Sequence, residues 1–141
     1  MKTPDVNVLL YAINTDAPQH KTARGWLESA FASVGGIAFC WPALVGFLRL
    51  STRSGVFGQP LTLDQALELV NAWLGHPAAR LIAPTERHVA LLSSLLLAQG
   101  RGGNLVSDAH IAALAMEHGA ELGTFDRDFE QFAGLRLTLL K

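Results

Sequence analysis

The chain has 141 residues, half of them hydrophobic and only 16% charged, with 11 Lys and Arg against 12 Asp and Glu. This length suits a single well-filled domain over residues 1–141, and so much apolar content excludes a disordered chain. A formal charge of −1 and a pI near 6.5 exclude the global basic field that nucleic-acid binders commonly carry.

Apolar runs such as Leu95-Leu96-Leu97 stop well short of the ~20 residues a membrane span needs. Met1 to Asp5 carry no apolar export signal and the lone Cys40 closes no internal disulfide, so the expected setting is a reducing cytoplasm. The apolar content also exceeds what one small core hides, which predicts a homodimer or a protein partner.

Short β-like stretches alternate with helical patterns, the signature of an α/β fold with a parallel sheet. A first strand ends at Asp5, and Val6 to Ile13 reads as a helix. Pro18 opens a second helix to about Ser33, with Ala23, Trp26, Leu27 and Ala30 on its buried face. Ile37 to Cys40 has the length of a buried strand, and Pro42 suits the first turn of the helix that follows. Thr62 caps a helix to Gly75, Ala79 to Ala83 is a third strand, and Thr85 caps a helix from Glu86 to about Gln99. A turn at Gly100 to Asn104 precedes a helix from Ser107 to His118. Ala120 to Gly123 forms a strand, a short helix follows Asp126, and Leu135 to Leu139 is an edge strand. The tally is five strands and about seven helices.

In open α/β sheets, ligands bind beyond the carboxyl ends of the strands. Asp5 and Asp126 fall at such ends, and Asp108 begins a helix that can point to the same rim. Each aspartate alone is explained by helix capping. Jointly they describe a cluster of carboxylates whose repulsion calls for a cation, and oxygen-only donors suit Mg²⁺ or Mn²⁺.

These residues carry a resemblance. Asp5-Val6-Asn7-Val8-Leu9-Leu10-Tyr11-Ala12, Asp108-Ala109-His110-Ile111-Ala112-Ala113-Leu114-Ala115 and Thr124-Phe125-Asp126-Arg127-Asp128-Phe129 look like the PIN domain, and more narrowly like VapC-type ribonuclease toxins. Phe47-Leu48-Arg49-Leu50-Ser51-Thr52 resembles a mid-chain helix of one branch of that family. The resemblance implies a three-layer fold around a five-stranded parallel sheet, RNA cleavage dependent on Mg²⁺ or Mn²⁺, and a cognate antitoxin as partner. It assigns Asp5, Asp108 and Asp126 as metal ligands and catalytic acids, with Asp128 a further acid. Asn7 and Thr124 would orient those carboxylates from behind. The family commonly adds an acid early in the helix after the second strand. Here no Asp or Glu lies between Glu28 and Asp64, and Ala43 or a neighbour stands in its place.

Arg49 is a candidate phosphate contact or a snorkelling side chain, and Arg101 reads as a surface arginine. The histidines show no close metal-binding spacing, and His110 lies two residues from Asp108 and so off its helical face. Trp26, Trp41 and Trp73 read as core. Two rivals are a PIN domain that is catalytically weak or inactive and serves as a binding partner, and a receiver-like Mg²⁺-binding signalling domain. The receiver needs a late phosphate-sensing lysine, whereas the lysines are Lys2, Lys21 and Lys141.

Overall fold

The computed structural model describes residues Met1–Lys141. The elements run β1 (Lys2–Pro4), α1 (Val6–Ile13), α2 (His20–Ala32), β2 (Ile37–Cys40), α3 (Trp41–Ser51), α4 (Leu63–Gly75) and β3 (Ala79–Ile82). They continue with α5 (His88–Gln99), α6 (Leu105–Glu117), β4 (Glu121–Thr124), a 3-10 helix (Arg127–Gln131) and β5 (Leu137–Leu139).

All strand pairs are parallel, in the order β3-β2-β1-β4-β5. The chain winds outward from β1 to β3, then crosses back to lay β4 on the other side of β1. The direction of winding therefore reverses between β1 and β4, and in sheets of this kind that point opens a crevice at the carboxyl ends. Right-handed crossovers running in opposite directions place their helices on opposite faces. The buried apolar side chains accordingly divide into two clusters, one joining α1 to α4 with β2, the other joining α6, β4 and the 3-10 helix.

β2 is buried throughout, whereas β3 lies at an edge and leaves Leu81 46% exposed. Gly123 in β4 lies against the ring of Trp26, where a β-carbon would come within 2.3 Å of it, so this strand and α2 can approach only without a side chain there. Thr62 caps α4 as expected, through a reciprocal pair in which Gln65 N donates to Thr62 Oγ1 and Thr62 N donates to Gln65 Oε1.

Three expectations need correction. Thr85 does not cap α5, which begins only at His88; its Oγ1 accepts from Arg87 N in the turn before the helix, while its amide and hydroxyl donate to Glu117 on α6. Helix α6 begins at Leu105 rather than Ser107, so Asp108 is its fourth residue and caps nothing. Trp41 is 47% exposed, since it opens α3 on the side away from the core. No helix is long and apolar enough to cross a membrane.

Candidate active site

The register of β1 on β4 pairs Pro4 with Gly123, which sets Asp5 beside Thr124 at the adjoining strand ends. Proline at the end of β1 has no amide to continue the strand, and the chain turns at once into α1. Asp5 Oδ1 accepts from Val6 N at 2.7 Å, capping α1, and Oδ2 accepts from Thr124 Oγ1 at 2.7 Å. Asn7 Nδ2 donates to Thr124 Oγ1 at 3.2 Å while Asn7 Oδ1 accepts from Phe125 N at 3.2 Å. Asn7 and Thr124 thus stitch the ends of β1 and β4 together and fix the Asp5 carboxylate.

Two residues past β4, Asp126 caps the 3-10 helix through Asp128 N, at 2.9 Å. That turn brings Asp128 back beside Asp126, and α6 delivers Asp108 to the same place. One carboxylate oxygen from each of Asp108, Asp126 and Asp128 lies within 4.8 Å of the others. Asp5 does not belong to this triangle. It sits deeper, 7% exposed, and joins Asp108 in lining a cavity of about 310 Å³ between α1, α3 and α6. Capping therefore accounts for one oxygen each of Asp5 and Asp126, and for nothing at Asp108.

Burial, then the charges of Asp126, Asp5 and Asp128, push the Asp108 carboxyl up to about 6. Burial also raises Asp5, opposed by its hydrogen bonds from Thr124 and Val6 and reinforced by Asp126. None of the protein's ion pairs involves these four acids. Clustered carboxylate oxygens without a basic partner fit a hard divalent cation.

The α3 wall of the cavity carries no acid. Ala43 is fully buried in the core and faces away, while Gly46 and Arg49 line the cavity. A β-carbon at Gly46 would stand 2.5 Å from Val6 Cγ2, so that wall is closed to any larger side chain while Val6 is in place.

His110 also lines the cavity, because the cavity wraps α6 from Ser107 to Ile111 and takes in residues off the Asp108 face. Its Nδ1 lies 2.8 Å from His88 Nε2, and His88 Nδ1 bonds Glu117 Oε2. Glu117 Oε1 accepts from Thr85 N at 2.8 Å and Thr85 Oγ1 at 2.6 Å. Burial pushes Glu117 up, and these bonds outweigh it, leaving the carboxyl below its usual range. Burial and then His88 lower His110, with Glu117 pulling the other way. The sequence does hold a sign of this network, since His110 and Glu117 are seven residues apart on one face of an otherwise apolar helix. The other histidines bond backbone atoms: His20 to Tyr11 O, His76 to Ala78 N and His118 to Ala83 O. Arg101 bonds Gln131 at the surface, and Cys40 is buried, its thiol pushed up to about 11 chiefly by burial.

A parallel sheet bearing a carboxylate cluster where its winding reverses defines an α/β domain built to hold a cation at an open crevice. The sequence matches the PIN domain over residues 2–135. It is 45% identical over 136 residues to ribonuclease VapC37 of Mycobacterium tuberculosis, covering 96% of this chain and 94% of that one. It is 37% identical over 138 residues to ribonuclease VapC33 of the same species, covering 98% and 96%. The chain belongs to the PIN-domain family, and within it to the VapC ribonucleases. Among solved structures, the fold is similar to VapBC2 from Rickettsia felis bound to a promoter DNA fragment, with a TM-score of 0.71 at 21% identity over 99% of this chain and 98% of that one. It is likewise similar to Mycobacterium tuberculosis VapC20, a sarcin-ricin-loop-cleaving toxin, with a TM-score of 0.67 at 16% identity over 96% and 99%. PIN nucleases use divalent metal ions, and family membership displaces the receiver alternative.

Proposed function

We propose that this protein is a divalent-metal-dependent endoribonuclease, the toxin of a VapBC-type toxin-antitoxin pair, formed by residues 1–141 as one PIN-like domain. The observation that carries the reading is the convergence of Asp108, Asp126 and Asp128 within 4.8 Å, with no basic partner. These three acids hold the ion, and Asp5 adds a fourth negative charge from below. Mg²⁺ is the proposed ion, with Mn²⁺ an alternative, because every donor is a carboxylate oxygen. Bound there, the ion supplies positive charge to the scissile phosphate and acidifies a water.

The chain's own residues do the positioning. Thr124 and Val6 N–H keep the Asp5 carboxylate turned into the cleft, and Asn7 holds Thr124 in place. Arg49 stands on the opposite wall as a contact for RNA phosphate. Exposed apolar side chains, among them Val89 at 71% and Leu97 at 80%, are surface for a second copy of the chain and for the antitoxin. A basic antitoxin side chain entering the acidic cleft would inhibit by occupying the place of the cation.

The test is cleavage of RNA fragments by the purified protein with Mg²⁺, with chelator, and with Asp108→Asn or Asp5→Asn. The expected result is cleavage by the wild type alone, lost on chelation and in both variants, with unchanged circular dichroism. Full activity in either variant removes that residue from the mechanism. The acid-free α3 wall favours one second reading, a PIN domain that binds without cutting, and an inert wild type that still binds RNA would establish it.

A further inference from the structure

The turn between α5 and α6, Gly100 to Asn104, carries an arginine that an uncharged side chain holds beside the carboxylate triangle. We propose that Arg101, with Gln131 as its positioning residue, binds an RNA phosphate flanking the scissile one, on the side of the triangle opposite Arg49. This rests on the ribonuclease reading and adds to it a second phosphate contact and the line the strand takes across the site.

The hydrogen bonds fix where Arg101 stands. Its Nη2 donates to Gln131 Oε1 at 3.1 Å, and Gln99 Nε2, at the end of α5, donates to Gln131 O at 3.0 Å. Gln131 is the last residue of the 3-10 helix, and Asp128 is the second. Side chains three apart on a 3-10 helix eclipse one another and are separated by about 6 Å of rise, so Gln131 lies one turn from Asp128 on the same face. Arg101 therefore neighbours the exposed corner of the triangle. Asp108 is the corner that lines the cavity with Arg49, whereas Asp126, Asp128 and Arg101 do not line it. One arginine thus stands on the Asp108 side and the other on the Asp128 side.

Nothing neutralises Arg101. Arg24 and Arg127 pair with Glu28 and Glu130, but the partner of Arg101 is an amide, which orients the guanidinium and leaves its charge uncompensated. A guanidinium stays ionised and carries five N–H donors, of which this bond uses one. Gly100 and Gly103, at φ of 67° and 62°, shape the turn, and a β-carbon at either would meet nothing within 4 Å, so the turn is open on its outer side. Arg101 bonds none of the triangle's carboxylates, which leaves them free for a cation and its own donors free for a phosphate. With the scissile phosphate at the triangle, a strand continuing past Asp108 meets Arg49, and in the other direction past Asp128 it meets Arg101.

The test combines steady-state RNA cleavage with Mg²⁺ and salt titrations of fluorescent single-stranded RNA binding, the latter in an Asp108→Asn background that leaves the RNA uncut. Arg101→Gln, which can still donate to Gln131, should weaken binding about threefold and reduce the slope of log K against log salt by about 0.7. KM should rise by a similar factor while kcat changes less than about twofold. Arg101→Lys should keep the wild-type slope, which a merely structural role for the hydrogen bond does not predict. Gln131→Ala should raise KM part of the way and add nothing to Arg101→Gln in the double variant. RNAs carrying one uncharged methylphosphonate linkage beside a 2′-O-methyl sugar locate the contact. Neutralising a linkage on one side of the cut site should weaken binding except in Arg101→Gln, and on the other side except in Arg49→Ala. An active wild type whose slope and KM are unchanged by Arg101→Gln overturns this inference alone, as does a loss traced to the same linkage in both arginine variants. A wild type that cleaves no RNA overturns the ribonuclease reading and, with it, a contact defined by the scissile phosphate.

Discussion

Thr124 donates its hydroxyl hydrogen to Asp5 Oδ2 at 2.7 Å, tying the last residue of β4 to the residue that follows β1 and caps α1. Thr124 Oγ1 itself accepts from Asn7 Nδ2 and from Asp126 N, so one hydroxyl links Asp5 to the turn that carries Asp126. Thr124→Val keeps the shape and removes the donor. Asp5 would then keep a buried oxygen without a partner, at a cost of about 1–3 kcal/mol. The expected outcome is a lower melting temperature and weaker cleavage, with Thr124→Ser close to wild type in both. A Val variant with full stability and activity would show that the hydroxyl is dispensable.

Burial, reinforced by its acidic neighbours, sets where Asp108 titrates. Its carboxyl is raised from 3.8 to about 6, so the folded chain without metal favours the protonated form. Stability from this group is therefore fully present below the unfolded value of 3.8 and is lost as pH rises through about 6. Asp108→Asn should remove that slope and stabilise the metal-free protein at pH 8 by on the order of 1 kcal/mol, a figure reduced for the residue's partial exposure. Cation binding needs the anion, so Mg²⁺ affinity and cleavage in the wild type should climb through pH 6 and then level off. Melting curves between pH 4 and 8, with and without Mg²⁺, test both statements. A wild type whose metal affinity is flat across that range would contradict them.

Local sequence makes the main acids legible. Asp5 and Asp126 each stand between a short strand and a helix, so their place at the sheet's carboxyl edge follows from alternation and from the parallel connection rule. Asp128 is legible as the neighbour that the turn folds back on Asp126. What escapes is whatever depends on packing between distant elements. The depth of Asp5 beneath the triangle is set by the β1–β4 register, and Thr85 donates to Glu117, 32 residues away, from the turn before α5. His88 and His110 meet only because α5 lies along α6, and no periodicity within either helix encodes that pairing. Trp41 looks like core by composition, yet the burial of α3 falls on Ala43, Leu44 and Phe47 instead.

The glycine at position 46 separates two explanations for the acid-free wall, and Val6 supplies the test. Because a β-carbon at Gly46 would lie 2.5 Å from Val6 Cγ2, Gly46→Ala should cost about 1–3 kcal/mol through overpacking. Val6→Ala in the same chain should recover much of that loss, giving a positive coupling in a double-mutant cycle. Gly46→Glu combined with Val6→Ala then puts a carboxylate on the α3 wall. Tighter Mg²⁺ binding by that protein, read by calorimetry, is the expected result. Unchanged binding would mean that the wall stands too far from the triangle to contribute a ligand.

RNA binding should weaken only mildly with salt. The net charge is −1 and the cleft itself is acidic, so few phosphates can be neutralised by the protein's own cations. With about two such contacts on a single strand, the slope of log K against log salt is roughly −1.4, or about a sevenfold loss between 50 and 200 mM. Arg49 lines the cavity and makes no ion pair, so it should account for one of these contacts. Arg49→Ala should therefore reduce the slope by about 0.7 and weaken binding evenly across RNA sequences. Anisotropy titrations of a fluorescent RNA over that salt range, using Asp108→Asn to prevent cleavage, measure the slope directly. An unaltered slope in the Arg49 variant would place the phosphate contacts elsewhere on the surface.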